Sequence, residues 1–394
     1  MKKIVFAMIE AGGGHKAPAR AVMEALEDLR PGFYELRMMD FIKDIGSVKV
    51  DASHKKSWKT MLEYPTITHI LYQLENSFAP ASRALMYRTM VAPAIPDAIR
   101  FVRTCRPDVA FSTHFFATVA LTEAKRRPGA TFPIITYQTE MFTFHAPWRV
   151  VDTDWYITAS ERAAETAARH GIAREKLKTF PYPIRPGFLE TRRERAVVAK
   201  ELGLESGCKT FLFSFGNQGA GMILQYLIAL DLQGERLNVI VVAGLNKSLR
   251  ARLEANAGLL THLNIIPLGF AENMNELIEA ADVCFIKPGP ATMMECMHSR
   301  KPIIFGVAAT PCEQEHANYA TFRGVAKCTD GNAMLFGRAA KHFLKNEVQA
   351  EVARRYDELN LHNGAADIAA VVDEVAQRGC VRPHQQWNQK TNTE

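Results

Sequence analysis

The sequence predicts an α/β protein made of two doubly wound, Rossmann-like domains facing a central cleft, and three observations carry that expectation. Short apolar runs alternate with amphipathic helical stretches, the pattern of parallel sheets covered by helices on both faces. The alternation occurs twice, and the proline-rich segment Pro181-Tyr182-Pro183-Ile184-Arg185-Pro186-Gly187 interrupts it midway. With 394 residues and 47% hydrophobic content, the chain is long enough for two separate cores.

Strand-like runs in the first half are 3–9, 34–39, 108–112, 133–137 and 155–158. The second half restarts at 210–215, continues through 237–243 and 264–268, and is completed by 281–286 and 301–306. The proline segment is therefore read as the linker. Residues 1–183 form the first expected domain and 184–378 the second, with the last helix allowed to pack back onto the first. The polar stretch 379–394 is expected to be a disordered tail.

Composition narrows the class. Seven cysteines lack C-x-x-C spacing and mostly sit in apolar surroundings, so they read as reduced core thiols. No signal peptide opens the chain and no apolar stretch approaches the ~20 residues of a membrane span, so a cytoplasmic protein is expected. A formal charge of +6 suits an anionic partner: phospholipid head groups, a nucleotide or nucleic acid.

Two small-residue loops follow strands. The first, Glu10-Ala11-Gly12-Gly13-Gly14-His15-Lys16-Ala17, opens a helix after the first strand. Its Gly12, Gly14 and Ala17 fit G-x-G-x-x-A, and Asp40 is available for an NAD ribose. Against an NAD site, His15 and Lys16 sit where the backbone would approach a pyrophosphate, and the second half would have no role. His15 is better read as an imidazole presented to the cleft as a general base, with Glu10 as its orienting carboxylate or as an alternative base. A purely structural helix cap is the competing reading.

The second loop, Lys287-Pro288-Gly289-Pro290-Ala291-Thr292-Met293-Met294-Glu295, lies between a strand and a helix. Its small residues allow a diphosphate to approach backbone N–H groups at the positive end of the helix dipole. Glu295, one turn in, would accept hydrogen bonds from a ribose diol. An ordinary βα turn with a solvated glutamate is the alternative. No metal-ligand spacing and no D-x-D motif occurs, so neither a metal nor another cofactor is expected.

These motifs together resemble the monogalactosyldiacylglycerol synthase and processive diacylglycerol glucosyltransferase family, relatives of the lipid II-forming N-acetylglucosaminyltransferase. The resemblance extends over nearly the whole chain. Gly12-Gly13-Gly14-His15, Ser112-Thr113-His114-Phe115-Phe116, Thr139-Glu140 with His145-Ala146-Pro147-Trp148, and Pro183-Ile184-Arg185-Pro186-Gly187-Phe188 match its motifs. So do Lys287-Pro288-Gly289-Pro290-Ala291-Thr292 and Gln314-Glu315 with Asn318.

The resemblance implies a GT-B fold and an inverting glycosyltransferase that moves a hexose from a UDP-sugar to diacylglycerol or a related membrane lipid. It implies donor contacts from Gly216, Asn217, Gln218, Phe270, Gly289, Pro290, Ala291, Thr292, Glu295, Gln314 and Glu315. Gly13, Gly14, His145 and Trp148 fall on the acceptor side, with Glu140 as a further candidate base. Glu10 and Glu140 stand where relatives have aspartate, and Ala291 replaces a glycine. Galactose, glucose and N-acetylglucosamine all remain open as the sugar. A UDP-N-acetylglucosamine 2-epimerase and a non-catalytic nucleotide-sugar or lipid-binding protein are the alternatives.

Between the second and third strand-like runs, Lys55, Lys56, Trp58, Lys59, Arg83, Tyr87 and Arg88 mix cations with aromatics. They are expected to meet an anionic membrane from the inner, cytoplasmic face. Packing into the first domain is the competing reading for the apolar members, and no RNA-binding motif accompanies them, so nucleic acid is not an expected partner.

Overall fold

The computed structural model describes residues 1–10, 12–150, 152–190, 193–215 and 223–378. The chain divides into two compact units. One contains Met1–Lys59, Ile70–Arg185 and the segment beginning at Asn363; the other contains Thr60–His69 and Pro186–His362. The division falls after Arg185 rather than after residue 183, and the helix Ala365–Arg378 belongs to the first unit. The expected tail, 379–394, lies outside the described residues.

The first unit holds a six-stranded parallel sheet: β1 (Lys2–Met8), β2 (Tyr34–Asp40), β3 (Val109–Ser112), β4 (Ile134–Tyr137), β5 (Trp155–Thr158) and β6 (Leu177–Thr179), in the order β2-β1-β3-β4-β5-β6. β1 pairs with β2 on one side and β3 on the other, so the winding reverses there. Loops leaving β1 and β3 diverge at such a point, where doubly wound sheets bind ligands. Helices cover both faces, which is why the strands are apolar on both. Val5 and Ala7 join one core with Val102, Ala117 and Leu121. Ile4 and Phe6 join another with Ala21, Val22, Ile368 and Val372.

The last helix enters this unit at Gly364, where an added Cβ would lie 2.0 Å from the Pro181 carbonyl oxygen. The Asn363 side chain both accepts from the Ile184 N–H and donates to its carbonyl, each at 2.8 Å. Asp373 then receives the Tyr34 hydroxyl at 2.6 Å. Apolar packing and these polar contacts together account for the return of the helix.

The second unit holds β7 (Lys209–Ser214), β8 (Leu237–Val242), β9 (Leu263–Leu268), β10 (Val283–Ile286), β11 (Ile303–Phe305) and β12 (Ala326–Cys328), in the order β12-β11-β10-β7-β8-β9. Its winding reverses between β7 and β10, and the loop that follows β10 is the second glycine loop. Phe211, Phe213, Tyr226, Phe285 and Phe336 form its aromatic core. All six cysteines among the described residues are free thiols.

Candidate active site

In the first unit, chain reversal after β1 depends on Gly12, whose φ of 123° is a conformation that side chains rarely adopt. The helix Gly13–Leu29 starts at once and carries His15 in its first turn. Gly13 is exposed and Gly14 half-buried beside it. His15 Nδ1 lies 2.6 Å from the Thr113 carbonyl oxygen on the loop after β3, and the Thr113 hydroxyl donates to the His15 carbonyl at 2.8 Å. A carbonyl only accepts, so Nδ1 carries the proton and neutral His15 has its lone pair on Nε2. The two loops at the winding reversal of the sheet thus fix the imidazole in the tautomer a base needs.

Two further histidines stand behind it. The His15 and His114 ring centroids are 4.5 Å apart, and those of His114 and His54 are 5.4 Å apart. Burial, reinforced by the charge on His15, pushes His54 down to about 4 and His114 well below the usual imidazole range. Both are therefore neutral near pH 7, which limits accumulation of charge beside His15. Sequence reading quoted His114 and Thr113 only as motif members and gave His54 no role, because their proximity arises from a loop and from the helix Val48–Glu63.

Glu10, expected as the orienting carboxylate of His15, makes an ion pair of its own. Its exposed side chain pairs with Lys16 at 2.8 Å, one turn along the helix, and orientation of His15 falls to Thr113. Glu140 is not an ordinary surface acid: its Oε2 is buried without a hydrogen-bond partner, and desolvation raises its carboxyl despite the pull of Trp148 and His145. Its neighbour Thr139 places Oγ1 3.4 Å from His15 Nδ1.

Trp148 and His145 are buried, with 0% and 6% exposure, so they form the wall of the site rather than a lipid-facing surface. Buried Gln138 ties this wall together by donating to the carbonyls of Glu140 at 2.9 Å and Thr143 at 2.7 Å. The Trp148 ring lies 6.3 Å from that of His15.

The proposed cationic face also changes. Lys55 turns inward to salt-bridge Asp40 and Asp51. Trp58 is half-buried, and Tyr87 packs against the core. Lys56, Lys59 and Arg88 are exposed, whereas the Arg83 side chain lies outside the described residues. The larger exposed apolar surface is elsewhere: Ile70, Leu71 and Leu74 on the helix Pro65–Ser77, followed by Phe78 and Leu85.

In the second unit the loop after β10 leads into the helix Pro290–His298, capped by Gly289, with Pro290 in the first turn where its missing N–H costs no hydrogen bond. Ala291, Thr292 and Glu295 are half-buried along this helix. Lys287 is anchored to Glu313 at 3.0 Å, and Glu313 also accepts from the Ala309 N–H at 2.9 Å. Burial alone would raise the Glu313 carboxyl, but Lys287 and the Ala309 amide outweigh it and hold the carboxyl below its usual range. Glu313 escaped sequence reading although Thr310-Pro311-Cys312-Glu313 spells a capping box; the Thr310 hydroxyl does accept from Glu313 N–H at 3.2 Å.

Gln314 and Glu315 follow on the helix Pro311–Phe322, where Gln314 donates to Asn318 at 3.0 Å. Phe270, just beyond β9, is 69% exposed. Gly216, Asn217 and Gln218 lie outside the described residues. Among the described residues, no group of three or more His, Cys, Asp or Glu is arranged to hold a metal ion, and no helix is long and apolar enough to cross a membrane.

Residues 15–184 match the monogalactosyldiacylglycerol synthase family model, and residues 216–354 match the glycosyltransferase family 28 C-terminal domain. The chain is 26% identical over 345 residues to monogalactosyldiacylglycerol synthase 1 of Arabidopsis thaliana, covering 83% of this chain but only 62% of that protein. It is 22% identical over 367 residues to the processive diacylglycerol beta-glucosyltransferase of Bacillus subtilis, covering 92% of this chain and 93% of that one. Acinetobacter baumannii MurG shares the fold at a TM-score of 0.58 and 14% identity, over 95% of this chain and 100% of the other. A putative UDP-N-acetylglucosamine 2-epimerase from Listeria monocytogenes does so at 0.62 and 11%, over 98% and 99%. The two sheets and the solved structures give the chain a GT-B fold, and its two parts are similar, respectively, to the monogalactosyldiacylglycerol synthases and to the glycosyltransferase family 28 C-terminal domain.

Proposed function

We propose that the protein transfers a hexose from a UDP-sugar to diacylglycerol or a related membrane lipid, inverting the anomeric centre. The observation that carries this reading is the Nδ1–H of His15 held by the Thr113 carbonyl, which leaves basicity at Nε2. As the acceptor hydroxyl oxygen attacks the anomeric carbon, Nε2 takes its proton. The bond to the diphosphate oxygen breaks in the same displacement. One displacement inverts the configuration.

In this reading the diphosphate lies at the start of the helix Pro290–His298, near Gly289, Ala291 and Thr292, where backbone amides and the helix dipole favour its charge. Glu295 binds the ribose diol, Phe270 lies by the base, and Gln314 and Glu315 meet sugar hydroxyls. No metal takes part, so a chelator is expected to leave the rate unchanged.

Lipid as acceptor class is supported by the names of the relatives. For the surface that meets the membrane, magnitude favours the apolar side chains: burying a Leu or Phe contributes ~1.5–3 kcal/mol, against ~1 kcal/mol for a cation near an anionic surface. Ile70, Leu71, Leu74 and Phe78 therefore dominate the proposed contact, with Lys56, Lys59 and Arg88 as exposed cations of the same unit, and the protein is peripheral on the cytoplasmic face.

A matrix of UDP-sugars against lipid acceptors, read by mass spectrometry, tests the reading. Glycolipid and UDP formed together are the expected result. Sugar epimerisation without acceptor would establish an epimerase instead, and nucleotide binding without turnover a binding protein. The Listeria likeness, at 11% identity, bears on fold alone and does not favour the epimerase.

A further inference from the structure

The helix Pro65–Ser77 ends on the wall of the active site. Glu75 Oε2 lies 2.5 Å from His145 Nε2. The Tyr72 ring stacks on the His145 imidazole, with centroids 4.0 Å apart and planes at 11°. Asn76 Oδ1 accepts from the Ala146 N–H at 2.9 Å. At 3.6 residues per turn these three side chains share one helix face, opposite Ile70 and Leu74, with Leu71 at its edge. Tyr72 and His145 are both 6% exposed, so their stack is sheltered from water, while the Glu75 side chain is 36% exposed.

We propose that Glu75 is a positioning residue for the acceptor side of the site. A carboxylate accepts only, so it fixes the His145 proton on Nε2 and, through the stacked ring, the orientation of His145. His145 opens the short helical turn Ala146–Trp148, and its chain leads back through Gln138 to Thr139. Trp148 and Thr139 are the two wall residues that approach His15. Glu75 thereby sets the wall that an acceptor hydroxyl must pass to reach Nε2, without itself touching the reacting atoms. Its contribution is orientation, for which small misplacements lower rates by large factors.

The inference rests on the transferase reading for its kinetic arm only. Glu75→Leu, Glu75→Gln, His145→Ala and the Glu75→Leu/His145→Ala pair are compared with wild type by kinetics and by hydrogen exchange over residues 139–148. Glu75→Leu is expected to lower acceptor kcat/KM roughly tenfold, leave donor KM unchanged and speed exchange in this turn about tenfold. Glu75→Gln, which still offers an acceptor oxygen, should recover most of both. The double variant should be no worse than His145→Ala, since coupled residues are not additive. Unchanged exchange in Glu75→Leu, or acceptor kcat/KM within twofold of an active wild type, would overturn the proposal. If wild type transfers no sugar, the transferase reading fails and the exchange arm alone decides the role of Glu75.

Discussion

Thr113 holds His15 from two directions, taking the Nδ1 proton on its carbonyl at 2.6 Å and donating its hydroxyl to the His15 carbonyl at 2.8 Å. The backbone carbonyl selects the same tautomer that an orienting carboxylate would.

The first prediction follows directly. His15→Ala should reduce turnover by ~10²- to 10⁴-fold while UDP affinity stays nearly constant, because the donor loop belongs to the other unit. Single-turnover rates with calorimetric UDP binding separate the two effects. Near-normal turnover at saturation would move the base elsewhere.

Glu313 supplies the second. Removing it leaves Lys287 without its anion and frees the loop before the helix Pro290–His298. Breaking a fully buried pair costs ~3–5 kcal/mol; because the Lys287 side chain is 34% exposed, Glu313→Ala should cost less, ~2–3 kcal/mol. Denaturant unfolding measures that loss. Weaker UDP binding is expected alongside it, and Lys287→Met/Glu313→Leu should recover part of the stability.

How much of this was legible in the sequence differs by element. Ten of the twelve strands were visible as apolar runs, including the three-residue Ile303–Phe305, while the edge strands β6 and β12, Leu177-Lys178-Thr179 and Ala326-Lys327-Cys328, carry a central lysine and show no apolar run. His15 could be read because Gly12 and the helix start lie beside it in the chain. Thr113, His54 and Glu75 could not, since each reaches the site from a different element. Lys55 shows the converse failure: in the sequence it looked like a surface cation, but Asp40 lies on β2 and only folding brings it within reach.

Acid stability gives the third prediction. Burial lowers both His54 and His316 to about 4, from 6.5 when unfolded. Between these values the unfolded chain binds more protons, so stability is intact above pH 6.5 and falls as pH drops toward 4. Each site contributes on the order of 3 kcal/mol to this loss. His15, His114, Lys55 and Asp40 act on His54, so its variant must be read against wild type over the whole range. Unfolding free energies of His54→Leu should show a shallower decline between pH 6.5 and 4.

Glu140 carries the last prediction, and its sign is opposite. Burial raises its carboxyl above 4.5, so on raising the pH the unfolded chain gives up this proton first, and stability drains away between 4.5 and the higher folded value. Its Oε2 has no hydrogen-bond partner to offset that cost. Glu140→Gln keeps the shape and cannot ionise, so it should raise the melting temperature at pH 7 by roughly 2–4 °C, the shift that about 1 kcal/mol makes in a domain of this size. At pH 4 the gain should vanish, since wild-type Glu140 is then protonated in both states. If His15 is the base, the same variant keeps transferring sugar while His15→Ala does not; loss of turnover in a stabilised Glu140→Gln would instead make Glu140 the proton acceptor. Thermal melts at the two pH values, paired with transfer rates, decide both halves.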